Sequence, residues 1–208
     1  MARIVASQHR RGSQSRVLRI IGGTWRGRRL RFPDAAGIRP TPDRVRETLF
    51  NWLGGRVSGA RCLDLFAGSG ALGLEALSRG AAYVEFVEQD AVSARELARL
   101  LEDWGARNAS VRRADALGIL AGRPEPFDLV FLDPPFASDL GARAAGRLEG
   151  GAWLAERALV YVECAARSGL PPVPERWALL KSKRAGEVGY HLYERAGHGV
   201  PSTHGVLR

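Results

Sequence analysis

Asp64-Leu65-Phe66-Ala67-Gly68-Ser69-Gly70-Ala71-Leu72-Gly73 joins an apolar run, Arg61–Phe66, to a stretch with helical character, Gly70–Ser78. A strand that turns through closely spaced glycines into a helix is the opening unit of a nucleotide-binding α/β sheet. Glycines there permit a tight turn and let a ligand approach backbone N–H groups at a helix start. Gly68, Gly70 and Gly73 spell G-x-G-x-x-G, and Glu88 follows about 20 residues on, where an acidic side chain can accept from two ribose hydroxyls. The loop therefore predicts a nucleoside cofactor without saying which.

Outward from this loop, strands alternate with helices. Strands are expected at Tyr83–Val87, Ser110–Arg113, Phe127–Leu132 and Leu159–Glu163, and a helix over Ala91–Trp104. The near-continuous apolar run Phe127–Leu132 is what an inner parallel strand requires, and the alternation implies a mostly parallel sheet covered on both faces. Trp177–Arg184 and Tyr190–Arg195 flank a glycine-containing turn and read as a hairpin closing one sheet edge.

Upstream, Val17–Ile21 and Arg28–Phe32 form a basic hairpin punctuated by Gly22-Gly23 and Gly27. Thr41-Pro42 reads as an N-cap followed by proline at the first helical position, and Val45, Leu49, Trp52 and Leu53 make an apolar stripe ended by Gly54-Gly55. The expected organisation is a disordered basic tail at 1–16, the hairpin and helix at 17–55, one α/β domain at 56–196, and a flexible tail at 197–208.

The formal charge of the 208 residues is +9, and its position matters more than its size. Residues 1–50 hold twelve arginines against Asp34, Asp43 and Glu47, so the whole excess sits there. An arm of arginine without lysine suits bidentate phosphate contacts and stacking on bases, and it points to nucleic acid. Binding is accordingly expected to weaken steeply with salt. There is no signal-like apolar run near Met1 and no stretch long enough to cross a membrane, so a cytoplasmic location is expected. Cys62 and Cys164 read as core residues. No Cys/His spacing suggests a metal, and the four histidines show no interpretable pattern.

Asp133-Pro134-Pro135-Phe136 follows the Phe127–Leu132 strand, at the edge where open α/β sheets bind ligands. The amino group of a nucleobase is a poor nucleophile because its lone pair is delocalised into the ring. A carboxylate from Asp133 and the carbonyl of Pro134 can accept both N–H bonds and turn that lone pair toward an electrophilic methyl. The prolines fix φ and remove backbone donors, and Phe136 can stack on an extruded base. Together with Asp64 before the loop and Asp115 after the third strand, this favours S-adenosylmethionine as cofactor.

The segments Arg19-Ile20-Ile21-Gly22-Gly23, Trp25-Arg26-Gly27, Arg39–Glu47, Asp64–Gly73 and Asp133–Phe136 resemble those of the bacterial 16S ribosomal RNA guanine-N2 methyltransferases, over about Arg19 to Arg195. The resemblance implies a class I, Rossmann-like methyltransferase sheet with a C-terminal β-hairpin and S-adenosylmethionine as cofactor. It implies cofactor contacts from Asp64, Phe66, Ala67, Gly68, Ser69, Gly70, Glu88, Asp115 and Ala116, and catalysis at Asp133, Pro134, Pro135 and Phe136. Arg19, Trp25, Arg26, Arg28, Arg39, Thr41 and Arg44 are the candidates for RNA contact. The implied substrate is 16S rRNA presented by an assembling small ribosomal subunit, and the protein is expected to act as a monomer without a metal. Three other readings stay open on sequence: a nicotinamide-dependent oxidoreductase, a DNA adenine or other RNA methyltransferase, and an RNA-binding module with a vestigial cofactor fold.

Overall fold

The computed structural model describes residues 15–33, 41–136 and 138–197. The proposed tails lie outside these residues except for Ser15, Arg16 and Gly197. Ser15 and Arg16 belong to the first strand rather than to a tail, because they pair with Pro33 and Phe32.

The N-terminal hairpin consists of β1 (Ser15–Arg19) and β2 (Arg29–Pro33), an antiparallel pair separate from the main sheet. Helix α1 (Asp43–Leu53) follows. The main sheet contains β3 (Arg61–Asp64), β4 (Tyr83–Glu88), β5 (Ala109–Arg113), β6 (Phe127–Leu132), β7 (Leu154–Ala165), β8 (Trp177–Ala185) and β9 (Val188–Arg195). Helices α2 (Ala71–Ser78), α3 (Ala91–Asp103), α4 (Ala116–Ile119) and α5 (Leu140–Gly150) cover it.

The strand order is β5-β4-β3-β6-β7-β9-β8, with β9 antiparallel to both of its neighbours. The chain moves outward from β3 in one direction through β4 and β5, then returns to β6 on the other side. That reversal opens a crevice at the carboxyl ends of β3 and β6, the place where this architecture takes ligands.

Two hydrophobic clusters lie on the two faces. One joins Leu18, Ile20, Leu30 and Phe32 of the hairpin to Leu49 and Phe50 of α1 and to Phe86, Phe131 and Tyr190 of the sheet. The other packs Leu117 and Leu148 on Val130, Val160 and Tyr193. The N-terminal hairpin thus shares its core with the sheet, since its inward apolar residues have no partner within a two-stranded ribbon.

The hairpin is locked onto α2 by a buried charge network. Glu75 of α2 is fully buried, and its two oxygens accept the N–H groups of Ile21 (2.9 Å) and Gly22 (2.8 Å). Arg79 Nε reaches the same carboxylate at 2.8 Å, and the fully buried Arg46 of α1 lies 3.5 Å from it. Arg46 also donates to the carbonyl of Arg19 (2.9 Å) and to Asp43 (2.6 Å). Arg46 therefore leaves the group of RNA-facing arginines, because its guanidinium is consumed by the fold. Gly23 shows why glycine stands in the turn: at φ +75° a Cβ there would lie 1.8 Å from the carbonyl oxygen of Ser78.

Helices α4 and α5 escaped the periodicity reading. The four residues of α4 are too few to show a period. In α5 three glycines dilute the pattern, and its inward stripe uses Ala144 and Ala145 beside Leu148. Strand β7 begins at Leu154, five residues before the expected start, because a register irregularity lets it pair with Phe127 before Leu159 pairs with Leu129.

Candidate active site

A cleft of about 760 Å³ opens at the carboxyl ends of β3 and β6, within the range of small-molecule sites. Asp64, Phe66, Ala67, Gly68, Ser69, Glu88, Asp115 and Ala116 line it on the cofactor side, and Asp133, Pro134, Pro135 and Phe136 on the other. Residues separated by up to 72 positions are brought together because each lies at or just past the end of a parallel strand.

The loop is held from below. Asp64 Oδ2 accepts the N–H of Gly73 at 3.0 Å, fastening the strand to the first turn of α2. Glu88 accepts from the N–H groups of Gly68 and Asp90, both at 2.7 Å, so its carboxylate is presented at a fixed angle to the cleft. Asp115 is the N-cap of α4, accepting from Gly118 N–H at 2.7 Å, a role additional to the one expected of it.

Gly70 is placed differently from Gly68. It is the N-cap of α2 at φ +74°, outside the residues lining the cleft, and a Cβ there would sit 2.6 Å from a methyl of Leu97. Packing, with Gly73 against Phe86, explains two of the three glycines; Gly68 alone faces the ligand space.

Thr41 also differs from its sequence reading. Pro42, at φ −56° and ψ 147°, is the N-cap, so the helix starts at Asp43 and Thr41 falls outside it. Its buried hydroxyl instead lies 3.0 Å from Glu163 Oε1 and 3.4 Å from Asp133 Oδ2. Tyr161 donates to the same Glu163 oxygen at 2.8 Å. Sequence reasoning missed Tyr161 and Glu163. A buried acid at the end of an inner strand was the available signal, and β7 carries Glu163 where β6 carries Asp133.

These acids are crowded and lack a cation. Burial pushes Asp64 up to about 7 despite the Gly73 hydrogen bond, and the charges of Glu88 and Glu163 add to the rise. Asp133 is raised well above the ordinary carboxylate range by burial, then by Glu163 and Asp64, with the Thr41 contact opposing. Glu163 is raised by burial, against the hydrogen bonds from Tyr161 and Thr41. No Lys, Arg or His among the described residues forms an ion pair with any of the three. Such a cleft fits a ligand that brings positive charge, as a sulfonium with an ammonium group does.

The family model described as Conserved hypothetical protein 95 matches residues 18–194. Ribosomal RNA small subunit methyltransferase D of Escherichia coli (strain K12) is 50% identical over 187 residues, 90% of this chain and 94% of that protein. The protein of the same name from Haemophilus influenzae is 46% identical over 182 residues, covering 85% and 93%. The chain belongs to the small subunit methyltransferase D family. The solved structure of the Escherichia coli protein yhhF superposes with a TM-score of 0.82 at 50% identity, covering 88% of this chain and 99% of that one. The expected class I, Rossmann-like fold with its terminal hairpin is therefore the fold of this family member.

Among the RNA candidates, Arg19, Arg26, Arg28 and Arg44 are exposed, whereas Arg39 lies outside the described residues. Trp25 is partly buried, packed edge-on against Trp104 at 5.1 Å, and the Arg28 guanidinium lies 5.3 Å from the Trp104 ring. The hairpin thus rests its aromatic on α3 and turns its arginines outward. Phe136 is 43% exposed at the cleft, an arrangement suited to a stacking ligand and costly otherwise. Cys62 is buried as expected, while Cys164 is only half-buried and lies 3.5 Å from His191. His191 is buried and bonded to Ser182 Oγ at 2.9 Å, a structural role; the other histidines lie outside the described residues.

Proposed function

We propose that this family member uses Asp133 and Pro134 to present the N2 amino group of a 16S rRNA guanine to S-adenosylmethionine, on an assembling small subunit. The observation that carries this reading is Asp133-Pro134 in a cleft whose acids, Asp64 and Asp133 with Glu163 behind them, have no ion-pair partner among the described residues. S-adenosylmethionine supplies an electrophilic methyl on a positively charged sulfur.

Asp64, Ala67, Gly68, Glu88 and Asp115 would hold that cofactor, with Glu88 placed for the ribose and Asp115 for the adenine end. The Asp133 carboxylate accepts one amino N–H, and the Pro134 carbonyl accepts the other. Both acceptors draw electron density onto nitrogen and aim its lone pair. Bound there, the cofactor would supply the methyl for this lone pair and leave as a neutral thioether. The extra proton on nitrogen then leaves toward the Asp133 carboxylate, which already accepts that N–H. Thr41 and Glu163 set the orientation of Asp133 from behind. Phe136 covers the extruded base, and Pro135 keeps Phe136 in place.

We infer that the enzyme acts as a monomer in the cytoplasm. The support is that the exposed arginines of the hairpin suit RNA rather than a second copy of the chain, and that both cysteines are free thiols, as a reducing compartment keeps them. The test is incubation with methyl-labelled S-adenosylmethionine and, separately, unmethylated small subunits, free rRNA and duplex DNA, followed by mass spectrometry of the nucleosides. N2-methylguanosine from subunits is expected. Methyladenine in DNA would retain the Asp133 chemistry and overturn the substrate. No transfer to any of them would favour a binding module.

A further inference from the structure

The two lysines of the chain, Lys181 and Lys183, both lie on β8. This strand is the outermost of the main sheet and is paired only with β9 among the described strands. Its side chains from Ala178 to Arg184 are exposed, while most of β9 is buried. Neither lysine has an ion-pair partner among the described residues. The charge sum after residue 50 concealed this patch, because acids cancel it arithmetically without forming an ion pair with either lysine.

Register fixes where the lysines point. Lys181 stands opposite Leu192 and Lys183 opposite Tyr190, and directly opposed residues of an antiparallel pair project on the same face. Tyr190 stacks on Trp52 of α1 at 5.3 Å, and both Tyr190 and Leu192 belong to the cluster that contains the hairpin's Leu18, Ile20, Leu30 and Phe32. The lysines therefore share a sheet face with α1 and the arginine-bearing hairpin.

Direction adds the second constraint. Strand β8 runs parallel to β6 and β7, so it leads from Lys181 through Arg184 toward the carboxyl edge. Its turn reaches the active site, where Glu187 and Val188 line the cleft. The N–H of Ala166 donates to the carbonyl of Glu187 at 2.8 Å and brings exposed Arg167 to the same tip. The N-terminal hairpin packs toward α2 and α3, over the β3–β5 half, whereas β8 lies three strand spacings, about 14 Å, beyond β6.

We propose that Lys181, Lys183 and Arg167 form a second RNA-contacting edge, gripping rRNA phosphates on the side of the cleft opposite the arginine hairpin. This rests on the rRNA reading above. A target held from one side only can swing about that contact; a grip on both sides fixes the approach of the base to Asp133. Lysine suits this task because it meets phosphates as a point charge without requiring a particular base.

The test is the double variant Lys181→Gln, Lys183→Gln, whose sites are exposed and outside the core. Binding of unmethylated small-subunit rRNA is measured from 50 to 200 mM salt, with KM for subunits and the calorimetric affinity for S-adenosylmethionine measured in parallel. The log–log salt slope should become shallower by about one to two, and RNA binding should weaken about tenfold at low salt, with cofactor affinity unchanged. An unchanged slope and KM would overturn the proposal. So would a raised KM on subunits with normal binding of free rRNA, which would mean that the lysines meet a ribosomal protein. Self-association of the variant with unchanged RNA binding would show that the lysines only guard an open sheet edge. If wild-type protein methylates no rRNA guanine, it is the function that fails; if wild type does so and the variant matches it, only the second edge fails.

Discussion

Buried carboxylates occur at two places, Glu75 on α2 and the acids of the cleft, and the two are built on opposite plans. Beneath the N-terminal hairpin, Glu75 is surrounded by donors: Arg46, Arg79 and the N–H groups of Ile21 and Gly22. At the cleft, Asp64, Asp133 and Glu163 have hydroxyls and one N–H but no cation. Burial penalises charge in both places, and the difference is whether the protein supplies the compensation itself. The first group is structural and complete. The second is completed only by a positively charged ligand, which is how a site can be stable as a fold and still favour a cationic cofactor.

The strongest way to break this contrast is to remove one acid from the cleft. Asp133→Ala should lower methyl transfer at least about 1000-fold, the scale of losing an acceptor that acts on the reacting atoms, with cofactor binding retained by calorimetry. Near-normal turnover would end the proposed role of Asp133. Removing the matched acid should instead damage the fold: Glu75→Ala leaves Arg46 with the carboxylate of Asp43 alone and strips the N–H groups of Ile21 and Gly22 of their acceptor, which should cost about 3–5 kcal/mol in urea unfolding.

The pH dependence sharpens the same point. Asp64 has a folded-state pKa of about 7, above its unfolded value of 3.8, so the folded state holds a proton that the unfolded state has released. Its effect is absent below pH 4, and stability falls as pH rises from about 4 to 7. Asp64→Asn should therefore match wild type in thermal unfolding at pH 4 and exceed it at pH 8, by on the order of a few kcal/mol. A variant less stable than wild type at pH 8 would mean that the Gly73 contact outweighs the buried charge. The smallest effect is expected at the bridging hydroxyl. Thr41→Val should reduce kcat about tenfold, the worth of one hydrogen bond to a charged group, and leave KM for the cofactor near its original value. A change confined to that KM would place Thr41 in cofactor binding.

The two regions also differ in how legible they were. The cleft could be read because its residues lie at strand ends, and strands announce themselves by apolar runs: Asp64 at the end of β3, Glu88 at the end of β4, Asp133 after β6. Glu163 follows the same rule on β7 and was passed over because no motif surrounds it. Thr41 was misread because an N-cap and a residue one step outside a helix share the same local sequence. Only the distance to Asp133, 92 residues away, separates the two. Arg46 was counted with the surface arginines because charge composition carries no burial.

By itself, the sequence determined the α/β sheet, the glycine loop, the Asp-Pro-Pro-Phe site and the asymmetric arginine arm, since each depends on local periodicity, backbone freedom or side-chain chemistry. Only the tertiary structure decided that Gly70 and Gly73 serve packing, that Arg46 and Glu75 clamp the hairpin, that Thr41 and Glu163 stand behind Asp133, and that the two lysines share a face with the arginines. Those outcomes depend on which residues meet across strands and helices. A carboxylate or guanidinium has the same chemistry in any sequence, and its partners and its solvent decide what that chemistry does.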